Sequence, residues 1–209
     1  MITSALGIAG AGAVGAVHLR SALFGEPPTV GAVDPTLGGS ATASEPADRL
    51  RLTQRGAIAF PVATDVPIVV LDNFGGYSTR YGCGGHRGVD IFRADAEPGQ
   101  PLLACVDGVL VAKRVGAPGQ GNAWVIEDVN GDVYRYHHLD TFGPGLEEGD
   151  RVQVGDLLGT MGSSGNASPS GPHLHFEVRR GGWSGAAEDP VPLFGLPLPN
   201  VELRAVGGC

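Results

Sequence analysis

The sequence predicts an all-β domain, on three observations. From Phe60-Pro61 onward, short apolar runs alternate with turn signals at roughly the spacing of a strand-rich domain, about every eight to twelve residues. Gly (35) and Pro (16) are abundant, which favours turns and short strands over long helices. Asn130-Gly131, set between two apolar runs, is the strongest hairpin signal in the chain. The candidate strands follow in order. Val66–Leu71 is a continuous apolar run that stops at Asp72-Asn73. Gly88–Phe92 alternates apolar and polar positions. Leu102–Cys105 and Gly108–Val115 follow Pro101 and Asp107-Gly108. Ala123–Asp128 and Val133–His138 flank the hairpin signal. Asp156–Met161 and His173–Arg179 complete the set.

The chain divides by texture. Residues 1–25 contain Ala5 to Val17, an uncharged apolar run shorter than the ~20 residues of a spanning helix, and read as an export-like or unstructured segment. Residues 26–57 are a Pro-, Gly- and Ser-containing linker without periodicity. Residues 58–200 form the β domain, closing on Pro190, Pro192, Pro197 and Pro199, which predict an irregular wrap. Residues 201–209 are expected to be a C-terminal tail. No stable transmembrane span is expected.

Charge narrows the function. Residues 1–57 carry four acids and four bases, so the whole net charge of -8 lies downstream. An acidic domain repels phosphate backbones, which argues against a nucleic-acid partner. Cys83, Cys105 and Cys209 are odd in number and lack a C-x-x-C, so they build neither a zinc ribbon nor a disulfide framework. A Cys83–Cys105 pair in an exported protein is left open by the sequence.

The chemistry sits in three short segments, His86-Arg87-Gly88-Val89-Asp90, Tyr136-His137-His138-Leu139 and Gly171-Pro172-His173-Leu174-His175-Phe176. Strand alternation puts His173, His175 and Glu177 on one face, opposite Leu174, Phe176 and Val178. It puts His86, Gly88 and Asp90 together, with Gly88 leaving space above the backbone for a metal or substrate. In the third segment it groups Tyr134, Tyr136 and His138, with His137 opposite. Two histidines and a carboxylate can hold zinc and leave a position open for water. Two further histidines would supply a general base and a hydrogen-bond donor to an oxyanion. Ser163, Ser164, Ser168 and Ser170 lie in a Gly/Ser/Pro/Asn loop with no G-x-S-x-G, and read as turn formers rather than nucleophiles.

These segments resemble the LytM/lysostaphin-type zinc peptidases of the M23 family. The resemblance rests on H-x-x-x-D at His86 to Asp90, Y-x-H-L at Tyr136 to Leu139, and G-x-H-x-H-F-E at Gly171 to Glu177. Val106 to Val111 and Glu148 to Gly162 match further stretches, and the likeness covers roughly Phe60 to Val178. It implies an antiparallel β-sandwich or barrel-like peptidase domain, with a mostly irregular N-terminal segment outside it. It implies one Zn2+ per domain on His86, Asp90 and His175, with His138 and His173 as the catalytic pair. Leu139 selects His138 over His137, and His137 is expected to face out or pack on a loop. The implied activity is hydrolysis of peptide bonds in peptidoglycan, in the cell envelope or outside the cell. Some relatives have lost ligands and instead regulate other wall hydrolases; here all five residues are present.

Overall fold

A computed structural model describes residues 57–77 and 82–206. The expectations placed on residues 1–25 and 26–57 fall, all but Ala57, outside these residues. Among them the chain forms eleven strands: β1 (Ile68–Asp72), β2 (Val89–Arg93), β3 (Pro101–Leu103), β4 (Gly108–Ala117), β5 (Gly121–Glu127), β6 (Val133–Phe142), β7 (Arg151–Val152), β8 (Leu157–Met161), β9 (Leu174–Arg180), β10 (Ala186–Glu188) and β11 (Val201–Ala205). Two short 3-10 turns, Gly165–Ala167 and Val191–Phe194, are the helical elements described. No helix of the described residues is long and apolar enough to cross a membrane.

The all-β expectation holds. The strands join one sheet in the order β11-β1-β2-β9-β6-β5-β4-β7, with β10 added to β9, and β8 linking β3 to β6. The sheet is open, not closed into a barrel. Its pairings are antiparallel except β1 with β11, which run parallel. That pair corrects the expectation of a tail after residue 200. Val201–Ala205 can return beside β1 because the proline-rich stretch before it turns the chain while Leu193 and Phe194 anchor it in the core.

One apolar cluster fills the back of the sheet. Val89 and Ile91 of β2, Leu174, Phe176 and Val178 of β9, and Tyr134 and Tyr136 of β6 all belong to it. Tyr136 satisfies its hydroxyl there, accepting from the Cys105 backbone N–H at 2.9 Å and donating to Leu103 O at 3.0 Å. Trp124 Nε1 donates to Leu158 O at 2.9 Å. Cys105 is a buried free thiol, so it does not pair with Cys83.

The placement of Tyr134 and Tyr136 overturns the face assigned to β6. With both tyrosines in the core, Arg135 and His137 must point forward. His138 should then point back, but it does not. It sits at φ 67° beside a register shift between Asn122 and Trp124 on β5, so a bulge turns its side chain forward as well. His137 is therefore buried in front of the sheet rather than facing out.

Gly88 also departs from the expectation. A Cβ there would stand 2.2 Å from Phe176 O. The missing side chain lets β2 close onto β9 rather than leaving room for a ligand. This closeness pairs Asp90 with His175 across the two strands.

Candidate metal centre

Three adjacent strands present polar side chains on one face. Cross-strand register sets Asp90 opposite His175, His137 opposite His175, and Arg135 opposite Glu177. His86 arrives from the loop before β2, His138 from the bulge in β6, and His173 from the residue preceding β9. All five residues singled out in the sequence line one pocket.

Asn73, at the turn after β1, fixes two of them. Its Nδ2 donates to Asp90 Oδ2 at 2.9 Å, its Oδ1 accepts from the Asp90 backbone N–H at 3.2 Å, and its carbonyl lies 3.0 Å from His86 Nδ1. A carbonyl only accepts, so His86 carries its proton on Nδ1 and leaves the Nε2 lone pair outward. Nε2 lies 3.3 Å from Asp90 Oδ1. On β9, His175 lies between two carboxylates, with Nε2 3.2 Å from Glu177 Oε1. Its Nδ1 faces Asp90 Oδ1 at 2.9 Å.

Two imidazole nitrogens, His86 Nε2 and His175 Nδ1, thus converge on one carboxylate oxygen, an arrangement that a cation or a proton between them satisfies. The three ligand atoms lie within 4.8 Å of one another. Two imidazoles and a carboxylate suit zinc, and the set leaves a coordination position open. Without a cation the charges adjust to the same geometry. Burial would raise Asp90, but hydrogen bonds with His175 and His86 hold it well below the usual carboxylate range. Burial would lower His175, but Asp90 and Glu177 raise it to about 9. A proton then occupies the place a cation would take.

His138 and His173 flank this group. Their ring centroids are 4.8 Å apart. His138 Nδ1 lies 2.9 Å from Ser164 O, and His173 Nδ1 lies 2.9 Å from Gly171 O. Both carbonyls require a donor, so each neutral ring keeps its lone pair on Nε2. His173 Nε2 is 3.8 Å from Asp90 Oδ1, and its ring stacks on Phe92. Burial, then the neighbouring His173 and His175, push His138 down to about 4. Ser164 has a structural part: its hydroxyl donates to Leu139 O and accepts from the Asn122 N–H.

Glu177 shared a face with the histidines in the sequence but had no role there. In the structure its Oε2 accepts from Arg179 Nη2 at 2.7 Å, Arg179 Nε at 3.0 Å and Arg135 Nη1 at 3.3 Å. Burial opposes its charge, yet His175, His137 and Arg179 hold it far below the usual range. His137, His175 and Glu177 form a second group with metal-ligand spacing, sharing His175 with the first. His137 stacks on His175 at 5.3 Å, and burial, then His175, hold it well below the usual imidazole range. Cys83 is disulfide-bonded and joins neither group. Asn73, Arg135 and His137 went unrecognised. Asn73 gave no signal, but alternation from a core Tyr134 and Tyr136 would have found the other two.

Known proteins share this chain's sequence and fold over part of its length. The model of peptidase family M23 matches residues 84–190, just over half the chain. The chain is 39% identical over 119 residues to the DD-carboxypeptidase/endopeptidase Mpg of Neisseria meningitidis serogroup B, covering 56% of this chain and 24% of that protein. It is 34% identical over 115 residues to the murein hydrolase activator NlpD of Salmonella dublin, covering 55% and 27%. The chain thus matches about a quarter of the length of these relatives. Among solved structures, it superposes on a protein assigned as the glycyl-glycine endopeptidase lytM from Ruminococcus gnavus. That match has a TM-score of 0.56 and 30% identity, covering 66% of this chain and 59% of the other.

Proposed function

The chain belongs to peptidase family M23, and on that footing we propose that it is a zinc-dependent endopeptidase hydrolysing peptide bonds in bacterial cell-wall peptidoglycan. The observation that carries the reading is the convergence of His86 Nε2 and His175 Nδ1 on Asp90 Oδ1, with the remaining ring nitrogens held by Asn73 O and Glu177. Those three residues are the proposed metal ligands. Zinc bound there would polarise the scissile carbonyl and make water acidic enough to attack near neutral pH.

The protein supplies the rest. Asn73 holds Asp90 and His86 in register, and Glu177 holds the Nε2 side of His175. His138 and His173 are the proposed proton carriers. Each has its Nδ1 held by a backbone carbonyl and its Nε2 turned toward the site, so between them they would take the proton of the attacking water and return it to the leaving amine. A protonated Nε2–H also donates to the oxyanion. The carbonyls of Ser164 and Gly171 keep both rings oriented through the cycle. The site of action would be the cell envelope or the space outside it.

A second reading is a latent or non-catalytic wall-binding module that regulates other wall hydrolases, supported by the likeness to NlpD. Release of new amino groups from purified sacculi separates the two. Zinc-dependent release abolished by chelator supports the peptidase, and fragment masses name the bond. Intact sacculi of several wall chemistries with zinc bound support the regulator.

A further inference from the structure

The sheet ends on β11, and the outer edge of that strand pairs with no other strand among the described residues. Its neighbour β1 determines which backbone groups are left over. Ile68 N–H donates to Asn200 O at 2.7 Å, and the parallel register sets Ile68 beside Val201 and Val70 beside Leu203. Backbone groups of successive residues turn to opposite edges of a strand, so Glu202 and Arg204 spend theirs on β1. Val201, Leu203 and Ala205 turn theirs to the open edge. The Val201 N–H is used locally, donating to Leu198 O at 3.2 Å. The Val201 carbonyl and both groups of Leu203 and Ala205 are left for a further strand.

The side chains sort with the same alternation. Val201, Leu203 and Ala205 continue the face that carries Ile68 and Val70 in the core, while Glu202 and Arg204 stand on the opposite face. Val201 packs against the core, but Leu203 is 44% exposed, so the apolar row runs out unfinished at the edge. Arg204 Nε donates to Glu202 Oε1 at 3.0 Å, and Nη2 to Oε2 at 3.3 Å. Charges on an edge strand ordinarily discourage pairing. Here the two are opposite in sign, so they reject some registers and favour another.

The run from Val201 to Ala205 is self-complementary about Leu203. An antiparallel second copy must set outward-turned groups against outward-turned groups, which confines the allowed registers. Centred on Leu203, the pairing places Val201 opposite Ala205 and Glu202 opposite Arg204. Centred on Glu202 it places Glu202 against itself, and centred on Arg204 it places Arg204 against itself. Like charges directly opposite are destabilising, whereas opposite charges there are favourable. The Leu203-centred register also makes Glu202 and Arg204 a non-hydrogen-bonded pair, the type whose side chains lie closest. With the in-strand pairs kept, the charges of the two copies alternate around a closed ring.

We infer that β11 is a self-association edge, on which two copies of this chain pair antiparallel about Leu203 and join their sheets. The two Leu203 residues exchange backbone hydrogen bonds, each Ala205 N–H donates to Val201 O of the other copy, and the Leu203 side chains cover one another. Val201–Ala205 lies beyond the residues 84–190 matched by the peptidase family, so this edge is separate from the metal centre. A strand of 5 residues makes a contact smaller than the roughly 1,200 Å² of a standard interface, and the dimer is correspondingly weak.

Analytical ultracentrifugation of the full chain at concentrations up to about 1 mM reads the association. The wild type should move from monomer toward dimer as concentration rises. Glu202→Arg and Arg204→Glu each set like charges opposite one another and should weaken the dimer by about tenfold or more. The double variant Glu202→Arg/Arg204→Glu restores both pairs and should recover it. An equimolar mixture of the two single variants should form a heterodimer that neither forms alone, and thermal melts of every variant separate loss of pairing from loss of fold. A wild type that stays monomeric throughout, single reversals that dimerise like the wild type, or a folded double variant that stays monomeric would overturn the inference.

Discussion

His137 and His138 are consecutive in β6, yet both face the metal pocket, because His138 adopts φ 67° where the strand slips register against β5. A left-handed residue that is not Gly costs about 1–2 kcal/mol, so the bulge is held by its surroundings. Those include the His138 N–H donating to Gln120 O at 3.0 Å and the ring bond to Ser164 O.

Replacing His138 with Gly should therefore leave stability within about 1 kcal/mol of the wild type, since relief of the left-handed strain offsets the lost side-chain hydrogen bond. Activity should fall by roughly 10²- to 10⁴-fold. His138→Val should lose both activity and stability, because a β-branched residue tolerates positive φ poorly. Urea midpoints and amine release on the same samples check all three outcomes.

Gly88→Ala should separate β2 from β9. The added methyl would meet Phe176 O at 2.2 Å, a backbone atom that cannot swing aside. A loss of about 1–3 kcal/mol is expected, as for other overpacked sites. Because the same contact pairs Asp90 with His175, bound zinc should fall below one per chain. Thermal denaturation and metal analysis would expose a neutral result.

Glu177→Gln removes the carboxylate between Arg135 and Arg179 and leaves two buried guanidiniums without a counter-charge. Breaking a buried ion pair from one side costs about 3–5 kcal/mol. The amide oxygen can still accept from His175, but more weakly, so zinc affinity should drop by about tenfold or more. Chelator competition and denaturant unfolding measure the two effects separately.

Alkaline stability should be limited from the core. Burial pushes the Cys105 thiol up to about 12, and burial with the neighbouring Cys105 raises Tyr136 well above its ordinary value. The unfolded groups ionise near 9.0 and 10.0. Above pH 9 the folded chain thus holds protons that the unfolded chain has released, and stability must fall as pH rises toward 12. Below pH 9 these groups contribute no slope. Cys105→Ala should flatten part of the decline in urea midpoint between pH 9 and 11, and an unchanged midpoint across that range in the wild type would contradict it.

The sequence made the front of two strands legible because their alternation is unbroken. Leu174, Phe176 and Val178 point to the core, so His175 and Glu177 must point forward, and the same holds for Val89 and Ile91 against Asp90. β6 defeated that logic twice. Its tyrosines look amphipathic but are buried, with Tyr136 bonding its hydroxyl inside the core. Its bulge carries His rather than Gly at the left-handed position, so nothing in the composition marks it. β11 was hidden for a different reason: Val201, Leu203 and Ala205 do alternate with Glu202 and Arg204, but the run is short, mostly exposed and follows a proline-rich stretch. Asn73 acts through its backbone carbonyl and side-chain amide together, and no spacing advertises that.

The most direct measurement determines zinc content and amine release from sacculi together, on the wild type and on His138→Ala, His173→Ala and His175→Ala. The wild type should carry about one zinc and be fully active. The His138 and His173 variants should keep the zinc and lose roughly 10²- to 10⁴-fold in rate. His175→Ala should lose both metal and activity. Full activity in His138→Ala with zinc in place, or retained zinc in His175→Ala, would contradict the division of the five residues into three ligands and two proton carriers.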